Sequence, residues 1–158
     1  MAKAKRKVAS GDVATNRSAS HRYEFLDKIE CGLVLHGTEV KALRESGAQL
    51  KDGYVAISGG ELWLHNVHIP QYAPASRNNH EPERTRKLLA HRREIERLSG
   101  RVKERGLTLI PTRIYFAGGR AKVEVVLGRG KDRFDKRQSI KERETKRDLQ
   151  RALRDANR

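Results

Sequence analysis

Apolar and polar residues alternate regularly along the first part of the chain. Between residues 25 and 35 five apolar side chains stand at odd positions: Phe25, Ile29, Cys31, Leu33 and Leu35. Polar residues, among them Lys28, Glu30 and His36, occupy even positions. Because successive side chains of a strand point to opposite faces, this period of two predicts a strand with one buried face.

A short helix is predicted immediately after this strand. Gly37 interrupts the alternation, and Thr38 offers a side-chain oxygen that can cap a helix N-terminus. Val40 and Leu43 are three residues apart, as on one face of a helix, and Gly47 can adopt the left-handed conformation that ends one. The segment is long enough for about two helical turns.

Two β-hairpins are indicated by strand-like runs that a glycine pair separates. The predicted pairs are Tyr54–Ser58 with Glu61–Ile69 across Gly59 and Gly60, and Leu107–Ala117 with Ala121–Leu127 across Gly118 and Gly119. In the last strand Val123, Val125 and Leu127 lie on one face, so Lys122 and Glu124 are expected on the opposite face. Pro111 cannot donate a ladder hydrogen bond, which predicts a sheet edge or a bulge there.

The segment Thr85–Arg105 has the spacing of a longer helix. Its apolar residues recur at intervals of seven, three and four: Leu88, Ile95, Leu98 and Val102. On the opposite face Arg86, Arg93 and Arg97 would form a basic stripe, which is either a phosphate-binding surface or a solvated face with intrahelical ion pairs.

These elements predict a mainly β fold, namely an OB-fold-like closed antiparallel barrel of about six strands with two or three helices and a basic C-terminal tail. Composition sets the expected boundaries. Residues 1–20 carry a net charge of +4 and residues 129–158 a net charge of +6, with few apolar groups. We therefore expect a flexible N-terminal segment at 1–20, a barrel at 21–128, and a tail at 129–158 that is disordered alone and helical when bound.

The whole chain of 158 residues has a formal net charge of +15, which points to a polyanionic partner. No apolar run approaches the roughly 18 residues of a membrane span, so we expect a cytoplasmic protein without a membrane partner. Cys31 is the single cysteine, and the six histidines make no ligand pair at helical spacing. No catalytic motif is present, so the sequence predicts no enzymatic activity, no metal and no cofactor.

The C-terminal tail has features of an RNA-binding segment. Phe134 lies in the run KDRFDKR, outside any core pattern, where an aromatic ring between cations can stack on a base. The following residues, 138–158, have a helix-forming composition but are polar nearly all round. Neutralised by phosphates, this segment could become helical on binding.

Five short motifs, taken in order, resemble the SmpB family of bacterial tmRNA-binding proteins, also called SsrA-binding proteins. They are GTEVKALR at 37–44, NHEP at 79–82, RKLL at 86–89, GLTL at 106–109 and DKR at 135–137. The resemblance covers nearly the whole chain from about Asn16. It implies a monomeric OB-fold protein that binds the tRNA-like domain of tmRNA, delivers it to ribosomes stalled on messages without a stop codon, and meets elongation factor Tu indirectly through alanyl-tmRNA.

The same resemblance implies two sets of site residues. The tmRNA contacts would be Asn16, Glu30, Leu89, Lys122, Gly130 and Lys131. The tail would enter the ribosomal decoding centre and the empty mRNA channel through Phe134, Asp135, Lys136, Arg137, Ile140, Lys141 and Arg143. Phe134 departs from the tyrosine or histidine usual in the family, so no hydrogen bond from its ring is expected. Two alternatives remain open: another basic OB-fold protein associated with the ribosome, and an RNA-processing enzyme.

Overall fold

The computed structural model describes residues 11–104, 106–131 and 133–157, without the side chains of residues 76 and 133–136. These residues form seven strands: β1 Asp12–Thr15, β2 Tyr23–Leu33, β3 Tyr54–Ser58, β4 Glu61–His65, β5 Arg86–Leu89, β6 Leu107–Ala117 and β7 Arg120–Gly130. The helices are α1 Ala19–Arg22, α2 Gly37–Ser46, α3 Arg92–Val102 and α4 Arg133–Ala156, with a 3-10 helix at Ala73–Asn78.

Six of the strands form a closed antiparallel barrel. The order β6-β3-β4-β5-β2-β7 returns to β6, because β7 pairs with both β2 and β6. Closure is uneven, since the β3–β6 seam contains the single pair Val55 and Leu109. The predicted mainly β barrel with helices is therefore confirmed, and β1 adds a seventh strand to the outer edge of β6.

Both predicted hairpins are present. Ser58 pairs with Glu61 across the first glycine pair, and Ala117 pairs with Arg120 across the second. β4 is shorter than expected, because it ends at His65, just before Asn66, which has a positive φ of 57°. The ladder of β6 and β7 shifts register just after Pro111, which confirms the predicted bulge.

The alternation predicted for β2 holds only beyond a second bulge. Ile29, Cys31 and Leu33 are buried, as expected. Phe25 is 44% exposed, because the pairing of β2 with β7 shifts between Phe25 and Asp27 and so reverses the face on which earlier side chains lie. The expectation that Phe25 faces the core is therefore wrong.

The N-terminal segment is more structured than its composition suggested. Residues 12–15 of the expected flexible segment 1–20 pair with β6, and Ala14, Asn16 and Ala19 are buried. Asp12 accepts a hydrogen bond from Arg113 at 2.9 Å. The described sheet thus begins at about residue 12 instead of residue 21, while residues 1–10 lie outside the described part of the chain.

The predicted helix Thr85–Arg105 is wrong in its first third. Arg86–Leu89 form strand β5, which pairs with β4 and β2, and the helix begins only at Arg92. Arg86 is fully buried, so it cannot belong to an exposed basic stripe with Arg93 and Arg97. The stretch at 85–91 lacks the helix because tertiary pairing of a short apolar run overrides its helical spacing.

Helix α2 is fixed at both ends. Its N-cap is His36, whose backbone N–H donates to the Glu39 carboxylate at 3.1 Å, instead of the predicted Thr38. At the other end Gly47 has a φ of 73° and its N–H donates to the Leu43 carbonyl, as predicted for a glycine cap.

Candidate nucleic-acid interface

A row of directly opposed residues crosses four strands on the outer face of the barrel. Tyr115 on β6 lies opposite Lys122 on β7, which lies opposite Gly32 on β2, which lies opposite Leu89 on β5. Opposed residues project to the same side of a sheet, and here that side faces away from the core. Leu89 is 53% exposed, and Gly32 leaves the middle of the row without a side chain.

A second row lies beside the first and consists of charged residues. Arg113, Glu124 and Glu30 are opposed across β6, β7 and β2. Lys122 links the two rows, because its Nζ lies 2.6 Å from Oε1 of Glu30. Arg113 donates from Nε to Glu124 at 3.0 Å. Three predicted contact residues, Glu30, Leu89 and Lys122, are thus brought together, and they line one surface pocket of about 360 Å³ with His91.

The protonation states of this surface follow from its hydrogen bonds. Lys122, and after it Tyr115, lower the pKa of Glu30 by hydrogen bonding to its carboxylate. Burial, together with the neighbouring Glu30, raises the pKa of Tyr115 to about 12. At neutral pH the Glu30 carboxylate is therefore ionised and the Tyr115 phenol is neutral.

Basic side chains continue this surface along the first turns of α3. His91, Arg92, Arg93 and Arg97 are exposed and line a shallow depression beside Leu89 and Ala90. Arg97 is bound to Asp27 on β2, with Nε 3.2 Å from the carboxylate. The outer face thus combines apolar, hydrogen-bonding and cationic groups, the mixture that contacts to RNA bases, riboses and phosphates require.

The other predicted barrel contacts, Asn16, Gly130 and Lys131, lie near α1 at the far end of β7. Lys122 and Gly130 are eight residues apart on one strand, which corresponds to roughly 26 Å along it. Gly130 is opposed to Tyr23, and Lys131 donates from its backbone N–H to Arg22 and from Nζ to Ser20. The predicted contacts therefore form two separate clusters on the barrel.

Asn16 is held inside the protein rather than presented on the surface. Its side-chain nitrogen donates to the carbonyls of Leu50 and Pro111 at 3.3 and 3.2 Å, and its oxygen accepts from Ser18 at 3.0 Å. It is 8% exposed. These contacts fix the turn between β1 and α1, so any influence of Asn16 on a ligand would be exerted through the position of α1.

The predicted tail residues all lie in α4. Arg137, Ile140 and Lys141 are exposed, whereas Arg143 is partly buried and reaches back to α1, with its Nη1 2.6 Å from Nδ1 of His21. Phe134, Asp135 and Lys136 belong to the first turns of the helix, but their side chains lie outside the described residues.

Tyr115 and Arg113 are absent from the set of residues chosen from the sequence. A signal for them existed: in a hairpin that turns at Gly118 and Gly119, residue 115 must oppose residue 122. The sequence alone does not single out Tyr115, because an aromatic residue in a strand is more often a core residue. Here Tyr115 shares the outer face with Lys122.

Cys31 is fully buried, and burial raises the pKa of its thiol to about 12, which fits a core residue and not a nucleophile. Within the described ranges, no group of three or more histidine, cysteine, aspartate or glutamate side chains is placed to hold a metal ion. Among the helices of the described chain, none has the length and apolar character needed to cross a membrane.

A closed barrel with a mixed polar and cationic outer face places the chain among small basic β-barrel proteins with a nucleic-acid-binding type of surface. The comparison with known families narrows this class. The family model described as "SmpB protein" matches residues 13–155, so the chain belongs to the SmpB family.

Curated relatives agree with this assignment. An SsrA-binding protein of Thermobifida fusca is 55% identical over 142 residues, which is 90% of this chain and 89% of that protein. An SsrA-binding protein of Corynebacterium efficiens is 51% identical over 155 residues, or 97% of this chain and 94% of the other. A chain in a solved structure described as "tmRNA-SmpB: a journey to the center of the bacterial ribosome" is 43% identical in sequence, with a TM-score of 0.65. The match covers 80% of this chain and 93% of the chain in that structure.

Proposed function

We propose that this protein binds the tRNA-like domain of tmRNA and delivers it to ribosomes stalled on messages without a stop codon. The observation that carries the proposal is the convergence of Glu30, Leu89 and Lys122 on one exposed surface. These residues are distant in sequence, and the family resemblance selects them as RNA contacts. Membership in the SmpB family and the likeness to SsrA-binding proteins support the identity of the RNA.

Each group on this surface has a distinct task in the proposed complex. Lys122 and the arginines of α3 neutralise phosphates, which supplies most of the affinity. The exposed side chain of Leu89 packs against a base or ribose. The ionised Glu30 accepts hydrogen bonds from base amino groups, an interaction that a cation cannot provide.

Helix α4 is proposed to act on the ribosome and not on tmRNA. Its 24 residues span about 36 Å, and cations such as Arg137, Lys141 and Arg143, the first two of them exposed, suit a channel lined by RNA phosphates. In this proposal residues 134–137 lie at the decoding centre and the rest of the helix occupies the empty mRNA channel. The protein works in the cytoplasm as a monomer, and elongation factor Tu joins through alanyl-tmRNA.

The test is a binding measurement with full-length protein. Fluorescence anisotropy compares a transcript of the tRNA-like domain of tmRNA with a hairpin RNA of equal length. We expect at least tenfold tighter binding of the tRNA-like domain, and a loss of about tenfold for Lys122→Ala. Lys103→Ala serves as the matched control, because Lys103 is an exposed lysine beyond the end of α3. Equal affinity for the two RNAs would contradict the proposal.

A further inference from the structure

Gly32 lies inside strand β2, which is an unfavourable position for a glycine. Glycine weakens a strand, because it has no side chain to pack and loses more conformational freedom on folding than other residues. No feature of the backbone requires it here, since Gly32 has no positive φ and pairs in regular register with Lys122 on one side and Leu89 on the other. The register shift of β2 lies earlier in the strand, between Phe25 and Asp27. The consequence of this glycine is therefore the space that a missing side chain leaves.

The side chain of Leu89 occupies part of this space. A Cβ on Gly32 would lie 3.3 Å from Cβ of Leu89, 3.6 Å from its Cδ1 and 3.8 Å from its Cγ. Opposed side chains on neighbouring strands ordinarily have Cβ atoms about 4.5–5.5 Å apart. Leu89 therefore lies across the backbone of Gly32, closer to β2 than a side chain at position 32 would allow.

This arrangement gives the outer face an apolar patch with polar groups beside it. Leu89 is still half-exposed although it lies on Gly32, so one side of its side chain is open to a ligand. On the other side of Gly32 lies Lys122, whose Nζ is 2.6 Å from Oε1 of Glu30, and all four residues line the same pocket. Leu89 and Lys122 are two strand spacings apart, roughly 9–10 Å. A planar ring can therefore lie on Leu89 with its edge near Lys122 and Glu30.

We propose that Gly32 is a further positioning residue of the proposed RNA surface, which places Leu89 across strand β2 to receive the face of an unpaired nucleobase. The edge of that base then reaches Glu30 and Lys122. The proposal rests on the proposed function and adds the group of the RNA that this surface binds. A nucleobase fits because it combines a flat face with hydrogen-bonding groups at its edge, and bases in loops expose both.

A double-mutant cycle with full-length protein tests this role. Affinity for the tRNA-like domain of tmRNA is measured for wild type, Gly32→Ala, Leu89→Ala and the double variant. Leu89→Ala removes the apolar patch and should weaken binding by about tenfold. Gly32→Ala should weaken it by about threefold to fivefold, because the added methyl group displaces Leu89 and part of its contact with the base is lost. In the Leu89→Ala background the same substitution should change affinity by less than about twofold.

Stability and salt dependence separate positioning from a general disturbance of the sheet. Leu89 is exposed and can move, and alanine loses less conformational freedom than glycine, so the thermal unfolding midpoint of Gly32→Ala should be unchanged or raised. The slope of the logarithm of affinity against the logarithm of salt concentration should stay at the wild-type value, because no phosphate contact is lost. Gly100→Ala is the matched control for affinity, since Gly100 also has no positive φ and a Cβ there would meet open space.

A series of modified RNAs identifies the group that packs on Leu89. Abasic nucleotides are placed one at a time at the unpaired positions of the tRNA-like domain. At one position the missing base should weaken binding of wild type and remove the difference between wild type and Gly32→Ala. Wild-type affinity in Gly32→Ala, an equal loss in both Leu89 backgrounds, or an undiminished difference at every abasic position would overturn the proposal. If wild-type protein binds the tRNA-like domain no better than a hairpin RNA of equal length, the proposed function itself fails and the role of Gly32 fails with it.

Discussion

The Glu39 carboxylate on α2 and the Arg86 guanidinium on β5 form an ion pair without any exposed side-chain surface. Arg86 also donates to the carbonyls of Val67 and Pro82, and the second oxygen of Glu39 accepts from Arg84 at 2.6 Å. The pair therefore joins the helix, the strand and the loop that carries the NHEP sequence. Through β5 it also sets the position of Leu89 on the proposed RNA surface.

Removal of the Glu39 charge should strongly destabilise the fold. In Glu39→Gln the buried Arg86 guanidinium loses its counter-charge while Arg84 remains nearby, and the expected cost is about 3–5 kcal/mol in the free energy of unfolding. Chemical denaturation measures it. The matched control is Glu61→Gln, which breaks the half-exposed pair with Lys87 and should cost at most about 1 kcal/mol. Similar losses for both variants would contradict the importance of burial.

The same carboxylate predicts a pH dependence of stability. Burial raises the pKa of Glu39, but hydrogen bonds from Arg84, Arg86 and the His36 N–H outweigh it and hold the pKa below its ordinary value of 4.5. A group with a lowered folded-state pKa stabilises the protein above its unfolded-state pKa, and loses that contribution as the pH falls through the folded-state pKa. The difference in unfolding free energy between wild type and Glu39→Gln should therefore be constant above about pH 5.5 and shrink below pH 4.5. A constant difference down to pH 3 would count against an ionised Glu39.

Arg86 also shows where sequence reasoning reaches its limit. The helical spacing of the apolar residues in 85–105 placed Arg86 on a helix, and no local signal reveals that its counter-charge, Glu39, lies 47 residues earlier. Local rules were sufficient where the contacts are between residues close in sequence. The glycine pairs predicted both hairpins, and the alternation of side chains along β7 predicted that Lys122 faces outward. The prediction for Phe25 was wrong because a bulge in β2, which depends on pairing with β7, reverses the face of the sheet to which the side chain points. Glu30, Leu89 and Lys122 came from family resemblance, and only the barrel explains why they are neighbours.

Gly47 and Gly100 should respond in opposite ways to alanine. At Gly47 the positive φ disfavours a side chain, and a Cβ would lie 2.5 Å from the backbone oxygen of Val13. Gly47→Ala is thus expected to destabilise by more than about 1–2 kcal/mol. Gly100 lies inside α3 with open space around it, so Gly100→Ala should stabilise by about 0.5–1 kcal/mol. Thermal unfolding of both variants checks the pair, and a stabilised Gly47→Ala would refute the close approach of β1 to the end of α2.

Affinity for the tRNA-like domain should depend steeply on salt. Five cations of the two barrel clusters and the first two turns of α3 can meet phosphates: Lys122, Arg92, Arg93, Arg97 and Lys131. If about five phosphates are neutralised, the logarithm of affinity should fall with the logarithm of salt concentration at a slope near −3.5 to −4.5. Lys122→Ala should reduce the slope by about one phosphate's share, and Lys103→Ala should leave it unchanged. A flat response would exclude an interface dominated by phosphate contacts.

The barrel and α4 should be separable by function. Deletion of residues 133–158 keeps β7 intact and retains Lys131, whose contacts to Arg22 and Ser20 tie down the end of the barrel. The deleted segment carries a net charge of +5, and its Arg143 contacts His21 on α1. We therefore expect the truncated protein to bind the tRNA-like domain within about threefold of wild type, because the two contact clusters lie on the barrel. Peptide tagging on ribosomes stalled in a reconstituted translation system should be abolished.

Lys122→Ala is the complementary variant. It should weaken RNA binding first and tagging only as a consequence, so that excess protein restores tagging. Parallel loss of RNA affinity and tagging in the truncated protein would show that α4 belongs to the tmRNA interface.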